Sequence, residues 1–342
     1  MPIIESTYKP NWFYKNTHIN TVLGSIGRKA PVLNFMRERI ETPDGDFIDV
    51  DWVKNSFEPL ALRNEPSHFK SKLKVESSKL LIAVSGLEGN SRKTYMRGIM
   101  SIFSKNGYDC VSLHHRSCSE EDNRLLNTYH SGFTDDLRYF MERLEKENYY
   151  QEIIIVGYSL GGNIVMKFCG EEGDKINPKI KKVIAISVPA DLGSSAKYFE
   201  RSDNFAYMQK FFWTLKKKAK IKAQKFPGTF DLKNVLAAKT FNDFDENFTA
   251  PTFGFKSAED YYTQASCKTY FEKIKIPALL IIAKDDTFVS PESYPFQFAE
   301  QSKTFHFIAP DYGGHCGFMP TDSNQTVWVE REALKFAEMK FY

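Results

Sequence analysis

The chain has 342 residues, 42% hydrophobic and 26% charged, with a formal net charge of +3. That balance belongs to a globular protein with a large core, in one domain or one domain with an insertion, and it argues against a nucleic-acid partner because no basic arm or zinc-spaced Cys/His cluster accompanies it. Cys110, Cys118, Cys169, Cys267 and Cys316 are odd in number and lack C-x-x-C spacing, which speaks against a disulfide framework or a structural metal and predicts a reducing, cytoplasmic setting.

The opening residues, Met1-Pro2-Ile3-Ile4-Glu5, lack the basic start and apolar core of a signal peptide. No apolar run reaches the roughly 18 residues a spanning helix needs, so contact with a membrane is expected at the surface at most. From Tyr8 to Lys29 the pattern is irregular and aromatic, with Trp12, Phe13 and Tyr14 near His18. It predicts a segment lying across the body of the domain. Arg37 to Ile40 and Phe47 to Val53 read as strands, and Thr42-Pro43-Asp44-Gly45-Asp46 between them carries turn chemistry, giving a β-hairpin. Asn55 to Ser78 is a polar connection containing Pro59 and Pro66.

From Leu80 the rhythm changes. Leu80 to Val84, Tyr108 to Leu113 and Glu152 to Val156 are apolar strand patterns, separated by helical patterns over Thr94 to Lys105 and Phe133 to Glu147. Strands alternating with helices of this length imply right-handed crossovers and a mostly parallel sheet covered on both faces. After a helix at Asn163 to Cys169 and a strand at Val183 to Val188 the alternation stops. Residues 189–277 are rich in Phe, Tyr and Lys and contain helical patterns at Phe211 to Lys222 and Ala258 to Cys267. A connection so long predicts a folded insertion, here a helical cap over the C-terminal ends of the strands. The alternation resumes with a strand at Ala278 to Ala283, a helix near Glu292 to Gln301, a strand at Thr304 to Ile308 and a closing helix from Gln325 to Met339. The expected organisation is therefore an α/β core in two parts, 1–188 and 278–342, with the cap between them.

The chemistry centres on Val156-Gly157-Tyr158-Ser159-Leu160-Gly161-Gly162, where a strand runs into a helix with a serine on the turn between them. This is the pattern of a nucleophile elbow, and the flanking glycines are needed because a Cβ beside so sharp a turn would collide. A serine hydroxyl is a poor nucleophile at neutral pH and needs a base, with a carboxylate to orient that base. Both follow in chain order. Lys284-Asp285-Asp286-Thr287 leaves a strand with two carboxylates; strand end and spacing favour Asp286, and Asp285 has the alternative role of capping the turn. Pro310-Asp311-Tyr312-Gly313-Gly314-His315 follows the last strand, and its glycines let His315 swing over the sheet edge as the base. Oxyanion donors are expected from the Leu160 N–H and, in Ser85-Gly86-Leu87-Glu88-Gly89-Asn90, from the Leu87 N–H. Gly86, Tyr158 and His130 are expected at the substrate-binding surface, with plain packing the alternative for His130 as it is for His114 and His115.

Together with His18-Ile19-Asn20-Thr21, Glu41-Thr42-Pro43-Asp44-Gly45-Asp46-Phe47, Arg116-Ser117-Cys118-Ser119, Tyr129-His130-Ser131-Gly132, Tyr261-Tyr262 and Ala265-Ser266, these motifs resemble the YheT-like branch of the α/β-hydrolase superfamily. The resemblance covers most of the chain. It implies an eight-stranded hydrolase sheet, the triad Ser159, Asp286 and His315, no metal or organic cofactor, and a small-molecule ester or lipid as substrate. The chain departs from the family pattern at Ser85, where histidine is usual, and at His115-Arg116-Ser117, where Phe-Arg-Gly is usual.

Phe211, Phe212, Trp213 and Leu215, with Phe241, Phe244, Phe248, Phe253 and Phe255, suit either an apolar roof for an acyl chain or the cap's own core. Lys210, Lys216, Lys217, Lys218, Lys220, Lys222 and Lys225 form the densest basic run. It reads as a solvated helix face, with weak contact to anionic lipid as the alternative. The function expected is carboxylic ester hydrolysis through an acyl-enzyme. Transfer of the acyl group to an alcohol, and a catalytically silent hydrolase fold that binds a ligand or partner, are the alternatives.

Overall fold

The computed structural model describes residues 2–54, 78–320 and 326–341. All but the last residue of the polar connection expected over Asn55 to Ser78 lies outside them. Eight strands form one sheet: β1 (Met36–Glu41), β2 (Phe47–Val53), β3 (Lys79–Val84), β4 (Asp109–Leu113), β5 (Glu152–Tyr158), β6 (Ile180–Ile186), β7 (Ala278–Ile281) and β8 (Phe305–Ile308). Their spatial order is β1-β2-β4-β3-β5-β6-β7-β8. The hairpin partners β1 and β2 are antiparallel, β2 is antiparallel to β4, and every later pairing is parallel.

The helices are α1 (Thr17–Val22), α2 (Thr94–Lys105), α3 (Asp135–Glu147), α4 (Leu160–Glu172), α5 (Leu192–Phe199), α6 (Phe205–Lys225), α7 (Leu232–Ala237), α8 (Phe241–Phe244), α9 (Ala250–Phe253), α10 (Ala258–Ala265), α11 (Phe296–Gln301) and α12 (Trp328–Glu338). Along β5, Ile153 and Ile155 join one core cluster with Phe140 of α3 and Ile164 of α4, while Ile154 and Val156 join another with Met96, Ile99 and Phe103 of α2 and Phe336 of α12. Burial on both faces is why the central strands are continuous apolar runs rather than alternating ones.

The parallel register aligns the ends of the strands. Val84 pairs with Gly157, Tyr158 with Ile186, Ile186 with Ile281, and Ile281 with Ile308. The loops leaving β3, β5, β6, β7 and β8 therefore open at one edge, the place where ligands gather on such sheets. Six helices, α5 to α10, lie between β6 and β7, with their own cluster of Phe199, Met208, Phe212, Val235, Phe244 and Phe248.

The aromatic N-terminal segment is more regular than its sequence predicts. A short turn at Trp12–Lys15, α1 and a wide turn at Leu23–Gly27 follow one another. It escapes pattern reading because it packs on a loop rather than on the apolar core. A Cβ on Gly24 would meet the backbone of Gly317, and Asn20 accepts from the Met319 N–H at 3.0 Å.

Candidate active site

Ser159 sits between β5 and α4 with φ 51° and ψ −120°, a conformation L-residues rarely adopt and one that costs about 1–3 kcal/mol. The turn is held because its neighbours are glycines in close contact. A Cβ on Gly157 would come within 2.7 Å of Gly162 Cα, and one on Gly161 within 2.7 Å of the Val84 carbonyl carbon. The serine N–H donates to the Ile186 carbonyl at 2.8 Å.

His315 Nε2 lies 2.9 Å from Ser159 Oγ, and His315 Nδ1 lies 2.9 and 3.1 Å from the two carboxylate oxygens of Asp286. Because a carboxylate only accepts, Nδ1 carries a proton, and in the neutral imidazole Nε2 is left as the acceptor of the serine O–H. Burial disfavours the charged imidazolium, but the adjacent Asp286 charge, with Cys316 and the Asp286 hydrogen bond, outweighs it and holds the His315 pKa above its usual value. The Phe288 ring stacks on the imidazole with centroids 4.3 Å apart. Asp286 also accepts from the Phe288 N–H at 2.9 Å.

Asp285 takes the other role. One of its oxygens accepts from the Gly314 N–H at 2.9 Å, and its carbonyl accepts from Thr17 Oγ1 at 2.7 Å. Burial lifts its pKa to about 6 against the pull of the Gly314 bond. Adjacent carboxylates thus divide the work: Asp286 contacts the imidazole, and Asp285 braces the loop that carries it.

Leu87 and Leu160 flank the serine on a shared cavity, and neither N–H has a hydrogen-bond partner among the described residues. Leu160 is the first residue of α4, where helix N–H groups lack intrahelical partners. The Leu87 loop is braced without a histidine at position 85. Gly86 N–H donates to Tyr95 Oη at 3.2 Å, and His115 Nε2 lies 2.7 Å from the Ser85 carbonyl. Glu88 N–H donates to Tyr129 Oη at 3.0 Å. Gly86 itself lies against Ser159, where an added Cβ would come 3.1 Å from Ser159 Cβ.

The expected substrate contacts separate. Tyr158 is fully buried, its ring against Tyr95 with centroids 4.7 Å apart, and its side chain is on the wall of neither cavity. Side chains alternate across a strand, so the residue before the nucleophile points into the sheet's core rather than toward the pocket. His114 is buried against Asp51, and His115 stacks on Tyr129 at 4.6 Å. Both are packing residues. His130 does line a cavity, and burial, with Lys167 nearby, lowers its pKa to about 3, so its ring is neutral.

The cavity at Ser159 has a volume of about 120 Å³ and is walled by Leu192, Phe199, Phe211, Phe241 and Phe288. A second space of about 90 Å³ shares Leu87, Ser131, Leu160, Phe241, Asp245 and Tyr261 with it, and adds Glu88, Thr128, His130 and Lys218. Both are mainly apolar, the second walled also by Leu215, Phe244 and Phe248, and it differs from the first in holding the Glu88–Lys218 pair and His130. Sequence reasoning missed Asp245, whose carboxylate accepts from Tyr262 Oη at 2.8 Å and from the Thr249 hydroxyl, and whose pKa burial lifts to about 6. It also missed Asn163, which ties the elbow helix to the cap. Its amide donates to the carbonyls of Ser131 and Ala265, both at 2.7 Å, and accepts from the Cys267 N–H at 2.8 Å. Neither residue carries a local pattern signal. Among the described residues no group of three or more His, Cys, Asp or Glu could hold a metal ion.

The basic run of α6 is only in part a solvated face: Lys210, Lys217, Lys220 and Lys225 are exposed, and the others turn inward. Lys222 is fully buried and donates to the carbonyls of Asn123 and Leu125 at 2.8 and 2.6 Å. Lys216 donates to the carbonyls of Leu236 and Ala238, Lys218 pairs with Glu88, and Lys225 pairs with Asp122. Long aliphatic stems let lysine reach carbonyls and carboxylates beneath a helix that must pack down on the core.

A sheet of this order, with a strained serine on its central turn, defines an α/β hydrolase. The family model described as alpha/beta hydrolase fold matches residues 79–320. The chain belongs to that family, in its YheT-like branch. It is 31% identical over 326 residues to YheT of Escherichia coli (strain K12), a match covering 93% of this chain and 88% of the relative. It is 26% identical over 319 residues to the phospholipase ABHD3 of Mus musculus, covering 93% of this chain and 74% of the relative. Among solved structures, the Pyrococcus furiosus esterase Pf2001 superposes with a TM-score of 0.54 at 15% identity, covering 91% of this chain and 96% of that one, a likeness of fold alone.

Proposed function

We propose that the protein is a serine hydrolase that cleaves carboxylic esters through an acyl-enzyme. The observation that carries this reading is the continuous line of contacts from Ser159 Oγ through the His315 imidazole to the Asp286 carboxylate. His315 Nε2 takes the serine proton as Oγ attacks the ester carbonyl, and Asp286 stabilises the imidazolium that forms. The Leu87 and Leu160 N–H groups receive the oxyanion; losing one such donor typically costs about 3 kcal/mol of barrier. Collapse expels the alcohol, which leaves with the proton from His315, and water activated by the same imidazole then releases the acid.

The two branches of the pocket support an ester with unlike halves. The first branch, walled by Phe199, Phe211 and Phe288, suits a short-to-medium acyl chain, and the branch where Glu88, Lys218 and His130 join apolar side chains suits an alcohol part with a polar group. The names of relatives, a phospholipase among them, agree with an ester of lipid type. The test is turnover of p-nitrophenyl butyrate with a burst of p-nitrophenol, expected in the wild type and absent in Ser159→Ala. Added glycerol separates hydrolysis from transfer, because the acid alone should form. Glyceryl ester as the main product would assign the acyl group to an alcohol acceptor instead.

A further inference from the structure

Most of the exposed large apolar side chains lie on two segments that touch each other. Trp12, Phe13, Val22 and Ile26 come from the N-terminal segment, and Phe205 and Trp213 from α6; Trp12 is 83%, Ile26 72% and Trp213 70% exposed. The segments meet where the His18 ring stacks on Tyr207, centroids 5.8 Å apart, and where Asp203 lies 3.9 Å from His18. Thr94 donates to the carbonyls of Gly24 and Ser25, and its neighbour Lys93 has a pKa lowered by burial and then by the charge of Lys210. The surface therefore runs on from the wide turn to the cap helix.

Neither segment carries a carboxylate: residues 12–32 and 205–225 contain no Asp or Glu. Once the lysines that pin α6 to the core are set aside, Lys210, Lys217 and Lys220 are left exposed. With Trp213 they fall at i, i+3, i+7 and i+10, one stripe of the helix, and Lys217 lies 5.8 Å from the Trp213 ring. Exposed tryptophan between lysines, with no acidic residue on the helix, is the composition of an element that lies in a lipid interface. Among the described residues no helix is long and apolar enough to cross a membrane. The same helix supplies Phe211 to the cavity wall.

We propose that α6 and residues 12–29 form one face that docks on an anionic bilayer, with Trp213 and Trp12 at the level of the headgroups and Lys210, Lys217 and Lys220 against lipid phosphates. The protein's own fluorescence tests it, because Trp52 and Trp328 are buried while Trp12 and Trp213, one on each of the two segments, are exposed. Vesicles of phosphatidylcholine with phosphatidylglycerol should shift the emission to the blue and protect it from acrylamide, in a way that added salt reverses. Pure phosphatidylcholine vesicles should not. Replacing Lys210, Lys217 and Lys220 together by Gln should weaken binding roughly a hundredfold, and Trp213→Ser should weaken it and remove much of the shift. A control at exposed Tyr149, just before β5 at the opposite edge of the sheet, should change nothing as Tyr149→Ser. Rates on water-soluble p-nitrophenyl butyrate should be the same in all variants, which separates docking from the proposed chemistry. Equal binding to neutral vesicles, no binding to either kind, or a triple variant that binds like the wild type would overturn the proposal.

Discussion

The backbone N–H of His315 donates to Thr21 Oγ1 at 2.8 Å, joining residues 294 positions apart. Thr21 Oγ1 in turn donates to the Thr17 carbonyl, and Thr17 Oγ1 to that of Asp285, so the N-terminal segment holds both the loop of His315 and the loop of Asp286. Thr21→Val keeps the shape and removes the acceptor. The expected result is a fall in kcat of about tenfold with KM little changed and a loss of roughly 1 kcal/mol of stability, both restored by Thr21→Ser. Steady-state kinetics and thermal melts check this.

The pH profile follows from the His315 pair. Only the neutral imidazole can take a proton, and the Asp286 carboxylate holds the pKa above the ordinary value of 6.5. kcat/KM should therefore rise with pH through an apparent pKa above 6.5 and then level off. Asp286→Asn removes the leading charge that raises it and leaves burial opposed by Cys316 alone, so the apparent pKa should fall below that of the wild type while the plateau rate drops roughly 10⁴-fold. A variant profile displaced to higher pH would contradict the assignment.

Phe211 tests the acyl branch. Phe211→Ala removes a ring from the cavity wall, and each methylene newly buried is worth about 0.8 kcal/mol. In a series of p-nitrophenyl esters the preferred acyl chain should lengthen by two or more carbons. An unchanged optimum would place the acyl chain elsewhere.

Lys222 and Lys220 belong to one basic run and should behave oppositely. Lys222→Met leaves the carbonyls of Asn123 and Leu125 without their donor and Asp122 without one of its cations. The expected cost is about 3 kcal/mol, seen as a lowered midpoint in urea unfolding. Lys220→Met, on the exposed side, should stay within about 0.5 kcal/mol of the wild type.

That contrast marks what sequence could convey. The strands β3, β5 and β7 were legible because burial on both faces leaves nearly unbroken apolar runs, and the elbow because steric crowding demands glycines at 157 and 161. Ser159, Asp286 and His315 could be singled out because each lies on a loop that follows a strand. The lysines of α6 were not, since composition records charge but not whether a side chain reaches down to a carbonyl. Tyr158 was misplaced because proximity to Ser159 in sequence puts the two side chains on opposite sides of the turn. Asp245, Asn163 and Thr21 each bond to a partner 17 or more residues away, Thr21 to one 294 away, and no local pattern announces those contacts.

The most direct test of the central claim is labelling of the purified protein with a fluorophosphonate, read by intact mass and by the modified peptide. The account predicts one adduct, on Ser159, lost in Ser159→Ala, greatly slowed in His315→Ala and retained in Ser131→Ala. A wild-type protein that stays unlabelled, or an adduct on any residue other than Ser159, would contradict it.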